Sequence, residues 1–184
     1  MFRLFLFILF LKNFIVLQIE TQDYRVIDKI DNVEIRFYPS VMKVKSFSIL
    51  DNGNFSSLFR YISGFNDQKK KIAMTTPVYI EKINRGSIME FVLPKKYSLN
   101  NTPIAKNSDL QVYQKKEVYC ASISYGGYTN EQKEKYFGSK LLKILELNSI
   151  KTLGNPKILV YNSPYKFFNR KNEIIIPINY NVKK

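Results

Sequence analysis

The alternation of apolar and polar residues predicts β-strands along most of the chain. Between Val33 and Ser48 apolar residues first fall at every second position, break at Pro39 and resume at Val44. This pattern is typical of a strand, a turn and a second strand. Ile72–Lys82 and Ser87–Pro94 have the same character, and the turn residues between them predict another strand pair.

Two segments have helical periodicity instead. In the first, apolar residues spaced by three and four positions predict a helix face packed on the sheet: Phe55, Leu58, Phe59 and Ile62. Asn54 is the predicted N-cap and Gly64 the predicted stop. In the second, Thr129 and Gln132 fit a capping box, so the helix is expected to start at Thr129. Its predicted buried face carries Phe137, Leu141, Leu142 and Leu145.

The order of elements repeats in the second half of the chain. Leu110–Gln114 and Val118–Tyr125 are predicted strands before the second helix, and Lys157–Asn162 and Glu173–Ile178 are predicted strands after it. Each half therefore runs strand, strand, helix, strand, strand, which indicates an internal duplication. The predicted fold class is α+β: a distorted antiparallel β-barrel of two pseudo-symmetric halves with two helices packed on it.

The first nineteen residues differ from the rest. Arg3 precedes an unbroken apolar run from Leu4 to Leu11, and Lys12 interrupts the apolar character. The run is short for a membrane-spanning helix and favours a secretory signal peptide. An uncleaved anchor and a misassigned start are the alternatives, because no small-residue cleavage site follows. We therefore expect one domain over residues 20–184, secreted or in the endomembrane lumen.

On the secretory route two sequons become candidate glycosylation sites. They are Asn54-Phe55-Ser56 and Asn100-Asn101-Thr102. The first overlaps the predicted helix cap, so a glycan and the cap would compete for the same side chain.

The composition excludes several chemistries. The 184 residues include no histidine and one cysteine, Cys120. Serine and cysteine hydrolases that use a histidine base are therefore excluded, as are zinc sites with histidine ligands and an internal disulfide. Cys120 lies in a predicted strand and is expected to be a buried apolar residue.

The charge is strongly basic but unpatterned. Lysine and arginine total 29 against 15 acidic residues, giving +14. The lysines are scattered, and no nucleic-acid-binding motif accompanies them. We interpret the charge as mainly compositional and expect no specific nucleic-acid partner. Membrane contact is expected only through the N-terminal segment, if it stays uncleaved.

Several ordered motifs make the chain resemble the SOUL heme-binding proteins. The resemblance covers roughly Tyr24 to Ile178. The motifs are VEIR with Tyr38-Pro39, FRYISG at Phe59–Gly64, KKKIAMTTPV at Lys69–Val78, FVLPKKYSL at Phe91–Leu99, GGYTNE at Gly126–Glu131 and RKNEIIIP at Arg170–Pro177. The family fold, a distorted barrel of two halves with two helices, agrees with the repeat inferred above.

The resemblance implies noncovalent binding of heme or another tetrapyrrole. The porphyrin is expected in a shallow apolar groove between the first helix, Phe55–Gly64, and the last inter-strand loop, Ser163–Lys171. Arg60 and Lys166 match positions of cations near the propionates, which suits charge-assisted hydrogen bonds. The resemblance gives two further sets of candidates. Leu58, Phe59, Ile62 and Met74 are expected wall residues, and Tyr165, Phe167 and Phe168 are expected to cover the other porphyrin face.

The missing histidine leaves the iron without the usual axial ligand of some family members. Affinity is then expected from apolar faces and propionate cations. The alternative is an interaction protein that keeps the fold and has lost heme. The fold also resembles effector-binding domains of bacterial regulators, which widens the ligand class to planar apolar molecules. No pair of carboxylates is placed for acid–base catalysis, so we do not expect an enzyme.

Overall fold

A computed structural model describes residues 19–49 and 53–181; the predicted N-terminal segment lies outside these, apart from Ile19. The described elements, in chain order, are eleven strands and two helices. They are β1 (Glu20–Thr21), β2 (Arg25–Ile30), β3 (Val33–Tyr38), β4 (Val41–Ser48), α1 (Gly53–Ile62), β5 (Thr75–Thr76), β6 (Val78–Ile83), β7 (Gly86–Val92), β8 (Leu110–Lys115), β9 (Val118–Gly126), α2 (Glu131–Leu147), β10 (Lys157–Val160) and β11 (Lys171–Pro177).

Nine strands form one antiparallel sheet, curled into part of a barrel. Its order is β2-β3-β9-β11-β10-β6-β7-β4-β8, while β1 and β5 make a small parallel pair beside it. The predicted fold class is confirmed: each half supplies two strands, a helix and a hairpin, and β2 adds a ninth strand at the edge of the sheet. The two hairpins, β6–β7 and β10–β11, meet at the centre of the sheet through β6 and β10.

Both helices lie on the outer face of the sheet. Cross-strand partners share a face, and one such row runs through Ile123, Ile174, Ile158 and Ile80 from β9 to β6. On this face α2 covers β9 and β11, and α1 covers β4 and β7. Two apolar cores follow, one under each helix.

The inner face of the curled sheet carries charged residues beside a third apolar cluster. Arg36, whose side chain is 2% exposed, makes two hydrogen bonds to the fully buried Glu173, at 2.7 and 2.8 Å. Glu173 also accepts hydrogen bonds from Tyr161 at 2.6 Å and Ser124 at 2.9 Å. This arrangement compensates a buried carboxylate, which would otherwise be very costly.

The structure corrects both predicted N-caps. Asn54 lies inside the first turn of α1, fully buried, and its amide nitrogen donates to the carbonyl oxygen and hydroxyl of Ser87. Its side-chain oxygen, the atom that would cap a helix, has no hydrogen-bond partner among the described atoms. In α2 the cap is Asn130, which accepts from the backbone nitrogen of Lys133; Thr129 bonds Glu134 instead.

The buried face of α1 also differs from the prediction. Leu58 and Ile62 are in the core as predicted, but Phe55 and Phe59 are 44% and 50% exposed. Tyr61 takes the buried position, because its hydroxyl donates to the carbonyl of Pro103 at 2.7 Å and so leaves no unsatisfied polar atom. Gly64, the predicted stop, follows the end of α1 at Ile62 and has a φ of 111°, a conformation that favours glycine.

Candidate functional site: a trough between the helices

The outer face of β6 and β10 lies between the two helices, because α1 packs mainly on β4 and β7 and α2 mainly on β9 and β11; we call this strip of sheet the trough. Its floor is apolar and half-buried. Val78 pairs with Val160 across β6 and β10, and Ile80 pairs with Met89 across β6 and β7. These four side chains pack against the edges of the two outer cores, along with Met74.

The sheet order gives the separation of the two helices along the sheet. Four strand spacings, or roughly 19 Å along the sheet, lie between the strand pair under α1 and the strand pair under α2. The central strands β10 and β6 occupy this interval, so the trough follows the middle of the sheet.

The α2 side of the trough is open enough to hold a ligand edge. A hollow of about 320 Å³ lies between α2 and the central strands. Its apolar lining includes Leu142, Pro156 and Ile158. Five charged residues share the lining: Lys82, Glu131, Glu134, Lys135 and Lys157, of which Lys82 pairs with Glu134. Leu142 is 40% exposed here rather than buried as predicted.

On the α1 side, two phenylalanines form an exposed wall. Phe55 and Phe59 lie one helical turn apart and stack with ring centroids 5.9 Å apart. Phe55 also meets Phe91 of β7 edge-to-face at 5.6 Å, which places it next to the strand that pairs with β6. The predicted wall residues Leu58 and Ile62 lie beneath, in the core, and support this wall from below.

The loop between β10 and β11 stands at one end of the trough. It leaves β10 at Val160, opposite the start of β6 at Val78. Arg170, largely buried, holds its base by donating to the carbonyls of Ser163 and Lys166, each at 2.7 Å. The Arg170 guanidinium also lies 4.1 Å from the ring centre of Tyr128.

Three aromatic side chains project from this loop into solvent. Tyr165, Phe167 and Phe168 are 84%, 71% and 83% exposed. Large apolar rings are seldom left this exposed without a use, least of all side by side. Because Arg170 and Tyr128 hold the loop base, the rings are presented on an anchored segment. The structure thus places the predicted aromatic group at the surface.

The two predicted cations lie on different elements, Arg60 on α1 and Lys166 on the loop between β10 and β11. Arg60 follows Phe59 on α1, and its guanidinium lies 4.4 Å from the ring centre of Phe65. Lys166 lies between the loop aromatics in the sequence. Its backbone carbonyl accepts a hydrogen bond from Arg170, and its backbone nitrogen donates one to the carbonyl of Ser163. Neither makes an ion pair with an acidic group among the described residues.

Within residues 19–49 and 53–181, no three histidine, cysteine, aspartate or glutamate side chains lie close enough to hold a metal ion. In the same ranges, no helix is long and apolar enough to cross a membrane.

The model of the SOUL heme-binding protein family matches residues 19–177. The chain belongs to the SOUL family. That assignment makes heme or a related tetrapyrrole the expected ligand class, and it confirms the resemblance drawn from the motifs. No curated protein matches the chain.

Solved structures share the fold at low identity. An uncharacterised conserved protein from Listeria innocua has a TM-score of 0.59 at 10% identity, covering 80% of this chain and 92% of its own. A hydrolase from the same organism has a TM-score of 0.55 at 9% identity, with the same coverage. The EcmrR C-terminal domain has a TM-score of 0.52 at 14% identity, over 85% and 98%. These likenesses show the fold alone.

Sequence reasoning missed part of the site. The trough floor, Val78, Ile80, Met89 and Val160, has the same alternating pattern as any core strand, so nothing in the sequence separates it from buried positions. Arg170 and Tyr128 lie within the family motifs RKNEIIIP and GGYTNE. Their place in these motifs is the sequence feature that could have identified their role at the base of the loop.

Proposed function

We propose that this protein binds heme or another planar tetrapyrrole noncovalently in the trough between α1 and α2, without a histidine ligand. The observation that carries the proposal is the juxtaposition of an apolar strip of sheet between the helices with exposed aromatics at its side and end. Phe55 and Phe59 line the α1 side, and Phe167 and Phe168 stand on the loop. Such surfaces bury a flat apolar ligand by stacking.

The affinity of this site is proposed to come from ring burial and propionate contacts. The chain has no histidine, so the usual protein imidazole cannot bind the iron. Arg60 and Lys166 are proposed to contact the two propionates from the helix side and the loop side. A charge-assisted hydrogen bond is worth about 1.5–3 kcal/mol. Binding rather than catalysis is the proposed activity.

Loop variants test the apolar part of the proposal. Phe167→Ser with Phe168→Ser should weaken hemin binding by about tenfold to a hundredfold, since each ring contributes about 0.5–1.5 kcal/mol beyond its buried area. Tyr136→Ser is the matched control, because Tyr136 is also an exposed aromatic residue, at 62%, on α2. Equal hemin affinity in the loop variant and the control would contradict a trough site.

A ligand with blocked propionates tests the charged part. Wild-type protein should prefer hemin over its dimethyl ester, whose propionates carry no charge. Arg60→Ala with Lys166→Ala should remove that preference and leave ester binding unchanged. If the double variant kept the preference, other cations would hold the propionates and this assignment of Arg60 and Lys166 would be wrong.

We also propose that the protein enters the secretory route. The support is the sequence pattern of residues 1–19, which lies outside the described residues except for Ile19. Fusing residues 1–19 to a reporter should direct it into the endoplasmic reticulum. A reporter that stayed in the cytosol would contradict this proposal.

A further inference from the structure

The inner face of the sheet contains a small cavity that the proposed tetrapyrrole site does not use. Its volume is about 50 Å³, enough for about three water molecules. Strands from both halves supply its walls, through Tyr38 and Cys120 on one side and Lys43 and Tyr79 on the other. It lies across the sheet from the trough, so the two sites are separate.

The cavity is lined by an excess of hydrogen-bond donors and positive charge. Four lysines line it: Lys43, Lys115, Lys116 and Lys157. Glu90 is the one acidic residue on its described wall. Lys43 is buried in the wall with its side chain 5% exposed, and Lys157 is 23% exposed. Lys115 and Lys116 are exposed at the mouth.

The charge of Glu90 is already compensated. Its two oxygens accept from Lys43 at 3.0 Å and from Lys157 at 2.7 Å. Lys157 also pairs with Glu81 at 3.2 Å. These four groups are neutral together, so the mouth lysines leave the cavity with a net positive charge.

Lys43 retains donor capacity toward the cavity. An ammonium group has three N–H donors. One reaches Glu90, and the nitrogen lies 3.3 Å from the ring centre of Tyr79, which accepts the positive charge on its face. Within the described residues, no second oxygen acceptor is assigned to this nitrogen.

We propose that this cavity binds a small carboxylate anion, with Lys43 at its base and Lys115 and Lys116 at its mouth. The volume holds one carboxylate group and little more. The positive charge selects an anion, and the donors suit its two oxygens. Apolar walls from Val118 and Ile175 exclude water around the group.

Protonation of Lys43 supplies an independent readout. Burial lowers its pKa to about 8, although Glu90 partly opposes this. The other titratable or charged groups near it are Tyr38, Tyr79, Tyr113, Lys115, Lys116, Cys120 and Lys157; Tyr113 is its cross-strand partner on β8. A bound anion favours the charged amine and raises this pKa. Acetate binding near pH 8 should therefore take up a fraction of a proton, measured by calorimetry in buffers of different ionisation enthalpy.

Amide NMR during acetate titration, at constant ionic strength against chloride, tests the proposal. We expect saturable shifts at Lys43 and Cys120 with acetate and none with chloride. Lys43→Met should weaken acetate binding by about tenfold or more, because a charged hydrogen bond is lost. Lys143→Met, the same change on the exposed side of α2, should leave it unchanged.

Two results would overturn the proposal: equal titration curves for the Lys43 and Lys143 variants, or equal shifts with acetate and chloride. If Lys43→Met fails to fold, the double variant Lys115→Met with Lys116→Met tests the residues at the cavity mouth. We expect this double variant to bind acetate more weakly, and unchanged acetate binding would refute the site. Inorganic phosphate, which is larger, should bind more weakly than acetate; tighter phosphate binding would contradict a carboxylate-sized cavity. Hemin binding should not change in any of these variants.

Discussion

Replacing Glu173 with glutamine should destabilise the protein strongly at neutral pH. Burial alone would raise the pKa of Glu173, but the hydrogen bonds and charge of Arg36, together with Tyr161 and Lys171, outweigh it and lower that pKa to about 2. Relative to its ordinary value of 4.5, this corresponds to a contribution of about 3 kcal/mol. Removing one partner of a buried pair costs a similar ~3–5 kcal/mol, because Arg36 is left uncompensated.

The sign of the pH dependence follows from the lowered pKa. The stabilisation by Glu173 is fully present above about pH 4.5 and is lost as the pH falls toward 2. Burial would raise the pKa of Glu90, but Lys43 and Lys157 outweigh burial and lower that pKa to about 2 as well. The variant therefore still loses stability as the pH falls, because Glu90 is still protonated on acidification. The free-energy difference between wild type and Glu173→Gln should therefore shrink on acidification without abolishing acid unfolding.

Urea unfolding followed by circular dichroism, from pH 7 down to about pH 3, measures this difference. Glu146→Gln, the same change at an exposed position on α2, is the control and should lie within about 0.5 kcal/mol of wild type. A loss below about 1 kcal/mol in Glu173→Gln at pH 7, or a difference that stays constant with pH, would refute the reasoning.

Three further predictions concern single sites. In a secretory expression host, Asn100 should carry a glycan and Asn54 should not, because Asn54 is fully buried against Ser87; mass spectrometry after glycosidase treatment would show a modified Asn54 if this is wrong. Gly86→Ala should lower the free energy of unfolding by about 2 kcal/mol or more, since φ is +109° and the new Cβ would lie 2.3 Å from a backbone oxygen. Gly138→Ala, which has open space around it on α2, should instead raise the free energy of unfolding by about 0.5–1 kcal/mol. Cys120 should react with thiol reagents at pH 8 only after unfolding, because burial raises its pKa to about 12, and rapid reaction of the native protein would contradict this.

The fold was predictable where one face of an element is buried throughout. The strands β3, β4, β9 and β11 alternate or run apolar because their side chains enter the cores, and their ends lie within about three residues of the prediction. Strand β2 was missed, because it lies at the sheet edge with mostly exposed side chains and therefore has little periodicity. The cap of α2 lies one residue beyond the prediction, because Thr129 and its neighbour Asn130 both have capping propensity and asparagine is the stronger cap.

The site was less predictable for a related reason. Phe55 and Phe59 have the same spacing as core residues, and only the packing of Tyr61 shows that the helix face is rotated away from them. The family motifs did identify the loop, and the exposure of Tyr165, Phe167 and Phe168 agrees with a role outside the core. Their contact with a ligand stays a prediction, as do those of Arg60, Lys166 and Met74.

Titration of the purified protein with hemin tests the central claim most directly. We predict a saturable one-to-one shift of the Soret band with quenching of tyrosine fluorescence, and loss of tight binding when Phe167 and Phe168 are replaced together. No Soret shift and no saturable quenching in the wild-type protein would contradict the account. That result would favour an interaction protein that keeps this fold without binding heme.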